Sequence, residues 1–414
     1  MKYQIKDLAL SLEGKKSIEW ASRNMPVLAQ VQSRFEKEKP LKGKKAVACL
    51  HVTKETAVLM ISLKKAGAEV VLCGSNPLST QDDVAAGLVD LGIPVFAWKG
   101  NHEAYYDCIE SALSINKPNL VLDDGADLIH TLHKKHPELI PQIIGGQEET
   151  TTGVIRLRAM AKDGALKFPV MAVNDTPTKH FFDNRFGTGQ STLDGILRAT
   201  DMLFAGKKFV VAGFGFCGKG IAERARGAGA KVVVTEVDPI KALEAHMSGF
   251  VVASMEEASA VGDVFVTATG CKDVITGNHF SKMKDGAVVA NAGHFNIEIN
   301  LDDLKKKAQS VRTVRPQVEE YNLSGRRILV LAEGRLVNLA CATGHPSEVM
   351  DQSFSAQALC TEHLVKNKLT AGVHEVPLSI DRTIARLKLQ SLGIQVDILS
   401  ASQEKYLNEW REGT

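Results

Sequence analysis

Several features are missing from this sequence, and each absence excludes a class of protein. The seven cysteines include no CxxC pair, and their odd number along 414 residues argues for reduced thiols and against a structural zinc site. The 50 basic and 48 acidic residues form no long run of one sign, which makes nucleic acid an unexpected partner. No uninterrupted apolar stretch reaches membrane-spanning length, and residues 1–12 do not resemble an export signal. We therefore expect a cytoplasmic protein with no membrane partner.

What the sequence does contain is an apolar fraction of 44%, in a chain long enough for two or three domains. Residues 7–38 favour helices with charged faces. Strands are predicted over residues 45–50, 69–73, 94–98 and 120–123, and helices over 55–66 and 81–91. This alternation is typical of a parallel, doubly wound sheet. A second α/β unit begins near Thr192, so we expect two such sheets in tandem, with ligand bound in the cleft between them.

The most informative motif is the glycine-rich sequence GFGFCG at residues 213–218, which follows a predicted strand over residues 208–212 and precedes a helix-like run starting at Lys219. Gly213 permits a tight turn, Gly215 lets the backbone approach a pyrophosphate, and Gly218 lets the helix pack closely on the strand. The N–H groups at the helix N-terminus are then available to phosphates. By itself the hexapeptide could be only a glycine-rich turn, but strand and helix on either side favour a dinucleotide site.

An acidic residue strengthens this interpretation. A second predicted strand over residues 231–235 ends at Glu236, about 20 residues past the glycines, where the ribose-binding carboxylate of a dinucleotide site is expected. A carboxylate at that position favours NAD, because it repels the 2′-phosphate of NADP. The sequence therefore predicts an NAD site.

Other polar groups follow predicted strands, where open α/β sheets place their ligands. After the strand over 45–50, Thr53 can be explained as a helix N-cap, but capping leaves His51 without a purpose. Asp123, Asp124 and Asp127 crowd the end of the predicted strand over residues 120–123. A solvated turn and a base with a raised pKa are equally good interpretations of these carboxylates.

Four further segments stand out. Lys179 and Asp183 are four residues apart, which on a helix places them on one face. His294 follows a predicted strand of the nicotinamide-binding sheet, although a lone histidine is usually structural. The polar segment 147–153 is predicted to be a functional loop between α/β elements, and residues 344–346 a crossing between domains.

Taken together, these segments resemble the S-adenosylhomocysteine hydrolase family over nearly the whole chain. The resemblance rests on HVTKETAVL at 51–59, STQD at 79–82, EETTTG at 148–153, Lys179 with FDN at 182–184, GHF at 293–295 and LAEGRLVNL at 331–339. It implies reversible hydrolysis of S-adenosylhomocysteine to adenosine and homocysteine. In this family NAD oxidises the ribose 3′-hydroxyl, a base removes the acidified 4′ hydrogen, homocysteine leaves, water adds, and the hydroxyl is restored. The resemblance also implies a homotetramer whose subunits open and close at a hinge.

The resemblance assigns a role to each candidate residue. The catalytic residues would be His51, Asp124, Lys179, Asp183 and His294, with Asp124 as the 4′ base and Lys179 and Asp183 serving the 3′-oxidation. The substrate would be bound by Thr53, Glu55, Thr56, Gln81, Asp82, Glu149, Asn174, Asn184, His345 and Met350. NAD would be bound by Thr150, Thr151, Thr152, Gly213, Gly215, Gly218, Glu236 and Asn338. Glu55 would accept from the adenine amino group, and no metal is expected.

The fold implied is two doubly wound parallel-sheet domains with a short C-terminal segment. The substrate domain would comprise residues 1–185 and 347–375, the NAD-binding Rossmann domain residues 186–346, and the C-terminal segment residues 376–414. Familiar members of the family have cysteine where this chain has Thr188. They commonly have methionine near the nucleoside, where Val52 and Thr343 stand here. Many also have a Lys and Tyr tail reaching a neighbouring subunit's NAD site, whereas this chain ends WREGT.

This short form resembles archaeal and thermophilic branches of the family, some of which prefer S-inosylhomocysteine. Hydrolysis of the inosyl compound is therefore one alternative. An ordinary NAD dehydrogenase, which would release NADH into solution, is another. A catalytically silent relative that binds nucleotide and a partner protein is the third.

Overall fold

The structure, a computed structural model, describes residues 2–411, so Glu412, Gly413 and Thr414 of the C-terminal sequence lie outside the described residues. The strands are β1 Lys45–Leu50, β2 Glu69–Gly74, β3 Val95–Phe96, β4 Leu120–Asp123, β5 Gly145–Glu148, β6 Pro169–Ala172, β7 Lys208–Ala212, β8 Lys231–Thr235, β9 Val251–Val252, β10 Val264–Thr267, β11 Ala287–Asn291, β12 Ser310–Arg315, β13 Val318–Leu323, β14 Arg326–Leu331 and β15 Gly372–His374. They form two sheets, each covered by helices.

The α-helices are α1 Ser11–Arg23, α2 Pro26–Glu38, α3 Lys54–Lys65, α4 Asp82–Asp90, α5 Tyr105–Asn116, α6 Asp127–Lys135, α7 Thr151–Lys162, α8 Pro177–Lys179, α9 Thr188–Thr200, α10 Phe216–Gly227, α11 Pro239–Met247, α12 Met255–Val261, α13 Gly277–Phe280, α14 Leu301–Lys307, α15 Val337–Ala340, α16 Ser347–Lys366, α17 Leu378–Ser391 and α18 Ala401–Asn408. A π-helix, His180–Gly187, joins α8 to α9. Short 3-10 turns cover Leu8–Leu10, Pro137–Gln142, Val173–Asp175 and Ala332–Gly334. In residues 2–411, no helix combines the length and apolar character needed to cross a bilayer.

The first sheet is parallel throughout and has the strand order β15-β6-β5-β4-β1-β2-β3. The chain runs from β1 through β2 to β3 at one edge and then returns to place β4 on the other side of β1. The strand order therefore reverses between β1 and β4. At such a switch point the connections diverge to opposite faces and leave a crevice at the carboxyl ends of the strands.

The second sheet has the order β12-β13-β14-β11-β10-β7-β8-β9. Its strands from β14 to β9 are parallel, and β12, β13 and β14 form an antiparallel meander at one edge. This sheet is therefore mixed, and an antiparallel edge on a doubly wound sheet is a common variation. Its strand order reverses between β7 and β10, so the glycine-rich sequence after β7 lies at the second switch point.

Buried apolar clusters cover both faces of each sheet, which is why central strands such as β1 and β7 are mostly apolar. The first sheet draws its strands from residues 45–172 and 372–374, and the second from 208–331. Helix α17, in the predicted C-terminal segment, packs against α16 and α2 beside the first sheet. The predicted boundary between 185 and 186 falls within the π-helix, whereas the one at 347 coincides with the start of α16. The domain boundaries remain predictions.

Most of the predicted strands are confirmed, but three local predictions were wrong. The strand predicted over 94–98 is reduced to Val95–Phe96, at the sheet edge. Helix α10 begins at Phe216 rather than Lys219, because Gly215 is its N-cap residue. The predicted loop 147–153 is instead the end of β5 and the first turn of α7. Gln147, Glu148 and Glu149 are buried there, and distant protein groups contact them. The Thr361 hydroxyl, for example, accepts from Gln147 at 2.8 Å.

Candidate active site

The carboxyl ends of the two sheets face each other across a cavity of about 1090 Å³. The first sheet's switch point contributes His51, which follows β1, and Asp124, which follows β4. The second sheet contributes the glycine-rich turn after β7 and His294, which follows β11. The cavity therefore brings together residues that are far apart in the sequence, such as Asp124 and His294.

Asp124 lies between two histidines. Its Oδ2 is 3.2 Å from His51 Nε2, and its Oδ1 is 3.5 Å from His294 Nδ1. Asp124 is buried, which contradicts the solvated-turn interpretation of this segment. Burial lowers the pKa of His51 to about 4, against the opposing attraction of Asp124, so this imidazole is neutral near pH 7.

The His51, Asp124 and His294 ligand atoms all lie within 4.8 Å of one another, a spacing that could also accommodate a metal ion. The distance between His51 and Asp124 is equally that of a direct hydrogen bond. The absence of a metal therefore remains a prediction.

Lys179 is the centre of a second cluster. Its Nζ donates to Asn184 Oδ1 at 2.7 Å and lies 3.5 Å from both Glu149 Oε1 and Asp183 Oδ2. Burial alone would lower the pKa of Lys179, but these carboxylates outweigh it and raise the pKa above its ordinary range. The ammonium is therefore held charged, with its direction fixed by three acceptors. Asn184 is held in turn by donating to Asn174 Oδ1 at 3.0 Å.

Asp183 connects this cluster to α16 and its N-terminal loop. Its Oδ1 lies 2.7 Å from His345 Nδ1, and its Oδ2 accepts from the Ser353 hydroxyl at 2.7 Å. Burial works toward a higher pKa for Asp183, but Lys179 and His345 prevail and hold it well below its usual range. Because an ionised carboxylate only accepts, His345 Nδ1 carries a proton, and its Nε2 lies 3.3 Å from the Thr188 hydroxyl.

Glu149 differs from Asp183 although both contact Lys179. Burial raises the pKa of Glu149 to about 8, and Lys179 only partly offsets it. Gln357 Nε2 donates to Glu149 Oε2. The site thus pairs a carboxylate that stays ionised with one that exchanges a proton near neutral pH, an arrangement suited to acid–base chemistry.

Glu55 lies in the first turn of α3 and lines the same cavity. Its Oε1 accepts from the Ser347 hydroxyl at 2.7 Å and is 2.9 Å from Lys54 Nζ. Thr53 is the N-cap of α3, as predicted, because its hydroxyl accepts from the Thr56 backbone N–H at 3.4 Å. Both threonines also line the cavity, so they can contact a ligand in addition to capping the helix.

Three predicted substrate residues lie behind the cavity wall rather than on it. The side-chain amide of Gln81 forms two hydrogen bonds with backbone groups. It accepts from the Lys54 N–H at 3.1 Å and donates to the Thr343 carbonyl at 3.2 Å. Asp82 begins α4 and accepts from the Lys99 backbone N–H at 2.9 Å. The Asn174 side chain is engaged by its neighbours. The remaining predicted substrate residues line the cavity: Thr53, Glu55, Thr56, Glu149, Asn184, His345 and Met350.

The second sheet's end of the cavity fits NAD. Gly213 has φ +96°, which favours glycine, and a Cβ built on Gly215 meets no atom within 4 Å, so the turn leaves open space beside its backbone. Gly218 packs directly on the turn, because a Cβ there would lie 1.9 Å from the Gly213 carbonyl oxygen. These are the separate roles predicted for the three glycines.

Two side chains support the same assignment. Glu236 lines the cavity, and its Oε2 accepts from the Phe214 backbone N–H at 2.7 Å, which ties the carboxylate to the glycine-rich turn. Asn338 is buried and donates to Ser191 Oγ at 3.1 Å, but its Oδ1 has no protein partner within residues 2–411. A buried amide oxygen without a partner costs stability unless a ligand donates to it. The predicted NAD residues Thr150, Thr151 and Thr152 also line the cavity.

Apart from Met350, the residues that α16 contributes were not predicted from the sequence. Ser347, Ser353 and Gln357 hold Glu55, Asp183 and Glu149 respectively from one helix. The signal available was the series of polar residues on a helix that is otherwise buried among apolar side chains. Sequence alone could not show which carboxylates they meet, because their partners are more than 160 residues away.

Two opposed switch points, one with glycines and a carboxylate for NAD and one with buried acid–base groups, define an NAD-dependent enzyme of the doubly wound α/β class. The profile described as "S-adenosyl-L-homocysteine hydrolase" matches residues 2–137, and the one described as "S-adenosyl-L-homocysteine hydrolase, NAD binding domain" matches residues 184–344. The chain belongs to the S-adenosyl-L-homocysteine hydrolase family.

Individual relatives agree along the full length of the chain. It is 61% identical to the adenosylhomocysteinase of Aquifex aeolicus and 59% identical to that of Saccharolobus solfataricus, in each case over 100% of both chains. It is 56% identical to a protein of Methanocaldococcus jannaschii named S-inosyl-L-homocysteine hydrolase, again over 100% of both chains. The predicted resemblance to the family, including archaeal and thermophilic members, is confirmed.

Proposed function

We propose that this protein catalyses the reversible hydrolysis of S-adenosyl-L-homocysteine to adenosine and L-homocysteine. The observation that carries the proposal is the contact of Asp124 with His294 at 3.5 Å, beside the cavity that fits NAD. This contact places Asp124, an acid–base group of the first sheet, next to the end of the second sheet where the NAD cavity lies. A simple dehydrogenase needs no such second set of buried proton-transfer groups beyond the one at Lys179.

The cofactor would be held by the glycine-rich turn, Glu236, Asn338 and the three threonines at 150–152. When bound, NAD supplies the reversible oxidation of the ribose 3′-hydroxyl, which makes the neighbouring 4′ hydrogen acidic. The protein's own contribution is to orient the ribose and to manage protons in a site enclosed by both sheets.

Lys179 and its acceptors would act at the ribose 3′ oxygen. The ammonium stabilises negative charge that develops on this oxygen, and Asn184 and Asp183 fix its direction. Glu149, whose pKa is about 8, would hold a ribose hydroxyl and exchange its proton. His345 anchors Asp183, and Thr188 lies on the far side of that imidazole.

Asp124 would be the base at the 4′ position, and the two histidines beside it would transfer protons on the 5′ side. His51, which is neutral near pH 7, can accept a proton from attacking water or pass one on. His294 approaches from the second sheet, so the group is complete only when the two sheets face each other as they do here. Glu55, Thr53 and Thr56 would hold the nucleoside base end.

We further propose that the enzyme acts on small molecules in the cytoplasm as a homotetramer, without a nucleic-acid partner. The family membership supports this assembly. The hinge would lie at the two crossings between the units, near residue 185 and at residues 344–346.

The test is thiol release by the purified protein supplied with NAD, with S-adenosylhomocysteine and S-inosylhomocysteine offered in parallel. Faster release from the adenosyl compound supports the proposal. Faster release from the inosyl compound preserves the mechanism but changes the substrate, an outcome that the 56% identity to the Methanocaldococcus jannaschii protein makes worth testing. Release of thiol from neither compound contradicts the proposal and favours a silent nucleotide-binding relative.

A further inference from the structure

The carboxylate of Glu55 is held on one side only. Both of its side-chain partners, Lys54 Nζ at 2.9 Å and Ser347 Oγ at 2.7 Å, engage Oε1. Within residues 2–411 no hydrogen bond reaches Oε2, although the residue is only 1% exposed and lines the cavity. One oxygen is therefore fixed by the protein, and the other is free for a ligand.

The two partners act from outside the cavity wall. Lys54 is the first residue of α3, its side chain is 20% exposed, and its backbone N–H donates to Gln81. Ser347 is the first residue of α16, which begins directly after the crossing at residues 344–346. Neither residue lines the cavity, so their contact with a substrate would be indirect, through Glu55.

The charge state of Glu55 decides what it can recognise. An ionised carboxylate can only accept hydrogen bonds, whereas a protonated one can also donate. Adenine presents an amino group, a donor, where hypoxanthine presents a carbonyl oxygen, an acceptor. A carboxylate facing hypoxanthine would leave two acceptors opposed in a buried site, which is unfavourable.

We propose that Lys54 and Ser347 are positioning residues that set the choice of purine base, by keeping Glu55 an acceptor-only carboxylate with Oε2 presented to the base. Lys54 supplies the counter-charge that makes a buried carboxylate tolerable. Ser347 supplies the direction, since its hydroxyl donor occupies Oε1. This inference rests on the proposed function, because it concerns which nucleoside that same site accepts.

The test compares kcat/KM for S-adenosylhomocysteine and S-inosylhomocysteine in three variants. Lys54→Met keeps the aliphatic length but removes the charge paired with Glu55 Oε1, so the carboxylate loses the ion pair that holds it in place, and the adenosyl-to-inosyl ratio should fall about tenfold or more. Lys54→Arg keeps the charge and should preserve the ratio within about threefold. Ser347→Ala removes only the directing hydroxyl and should lower the ratio by a smaller factor, about threefold.

Lys64→Met is the matched control, because Lys64 lies at the other end of α3 and donates to the backbone of Leu91 and Gly92. It should leave the ratio unchanged. A Lys54→Met protein that loses activity toward both substrates in equal proportion would show a merely structural role and overturn the inference, as would a ratio that rises.

Equilibrium binding of adenosine and inosine to the NAD-loaded variants separates this inference from the proposed function. If wild-type protein binds adenosine more tightly and Lys54→Met reverses or levels that preference, the inference stands even where no thiol is released. If the nucleoside preference is the same in both proteins, the inference fails, whatever the hydrolase activity.

Discussion

The two sheets use the same topological device for different chemistry. At the switch point of the first sheet, side chains occupy the crevice, with His51 and Asp124 in direct contact. At the switch point of the second, glycines leave the crevice open, and Gly215 has no atom within 4 Å of a built Cβ. Each crevice arises because the strand order reverses there and the flanking connections diverge.

The difference shows which part of a doubly wound sheet is general and which is specific. The crevice comes from topology, and it needs small residues where a diphosphate must approach the backbone. Where protons must move, the same position needs ionisable groups whose pKa values are separated by burial and neighbouring charge. Asp183 and Glu149 illustrate this separation, because they share Lys179 yet their pKa values shift in opposite directions.

The largest effect should come from removing the ammonium group of Lys179, which lies at the first sheet's side of the cavity. Lys179→Ala is expected to lower the rate of NADH formation with adenosine by about a thousandfold or more, because no group remains to handle charge at the 3′ oxygen. NAD should stay bound, because Lys179 is not among the residues proposed to hold it. The measurement is single-turnover absorbance of reduced NAD together with the NAD content of the protein.

Lys16→Ala is the control for this variant, because Lys16 is exposed on α1 and pairs with Glu13, away from the cavity. Its NADH formation should equal that of the unaltered protein. Normal NADH formation by Lys179→Ala would contradict the role assigned to Lys179.

Substitution of the adjacent residues Asp123 and Asp124 should have different effects, one on stability and the other on activity. Asp124→Asn should lower thiol release by about a hundredfold or more while NADH still forms with adenosine, because the variant removes the proposed 4′ base but leaves the groups proposed for the 3′ chemistry. Asp123→Asn should mainly lower stability, by about 1 kcal/mol, because Asp123 Oδ2 accepts from the Ile129 backbone N–H at 2.7 Å near the start of α6. Thiol assays and thermal melts of both variants check this. Loss of NADH formation in Asp124→Asn would place Asp124 in the first step instead.

The second switch point should be sensitive to a single methyl group. Gly215→Ala is expected to weaken NAD binding about tenfold, because the methyl occupies space through which a pyrophosphate approaches the turn. Gly227→Ala is the matched control: it lies at the far end of the same helix, with equally open space around a built Cβ, and should bind NAD normally. Titration of NAD into the two cofactor-free proteins is the measurement, and equal affinities would contradict the assignment.

The smallest effect concerns the pH dependence of stability. The pKa of Glu149 is raised in the folded protein to about 8 from an ordinary value of about 4.5, so the unfolded chain releases this proton at lower pH. The associated stability is fully present below about 4.5 and is lost as pH rises through about 8. Between pH 5 and pH 9 the melting temperature should therefore fall more steeply with rising pH for the unaltered protein than for Glu149→Gln. Parallel curves would contradict the raised pKa.

Local sequence was sufficient where the signal was short-range. The strands at 45–50, 120–123, 208–212 and 231–235 were predicted with their observed bounds, because each is a continuous apolar run in a buried parallel sheet. The segment 147–153 was predicted wrongly because its structure depends on long-range contacts. Its polar residues look like a loop until distant partners, such as Gln357 for Glu149, satisfy them in the interior.

The sequence by itself determined the fold class, the NAD fingerprint and the family, because motifs such as HVTKETAVL and GFGFCG depend only on the order of neighbouring residues. Only the tertiary structure decided that His294 meets Asp124, that Gln81 and Asp82 lie behind the cavity wall, and that α16 supports three carboxylates from one side. Those outcomes depend on how two sheets and one long helix pack together. Packing of elements distant in sequence is set by the whole core rather than by any local pattern.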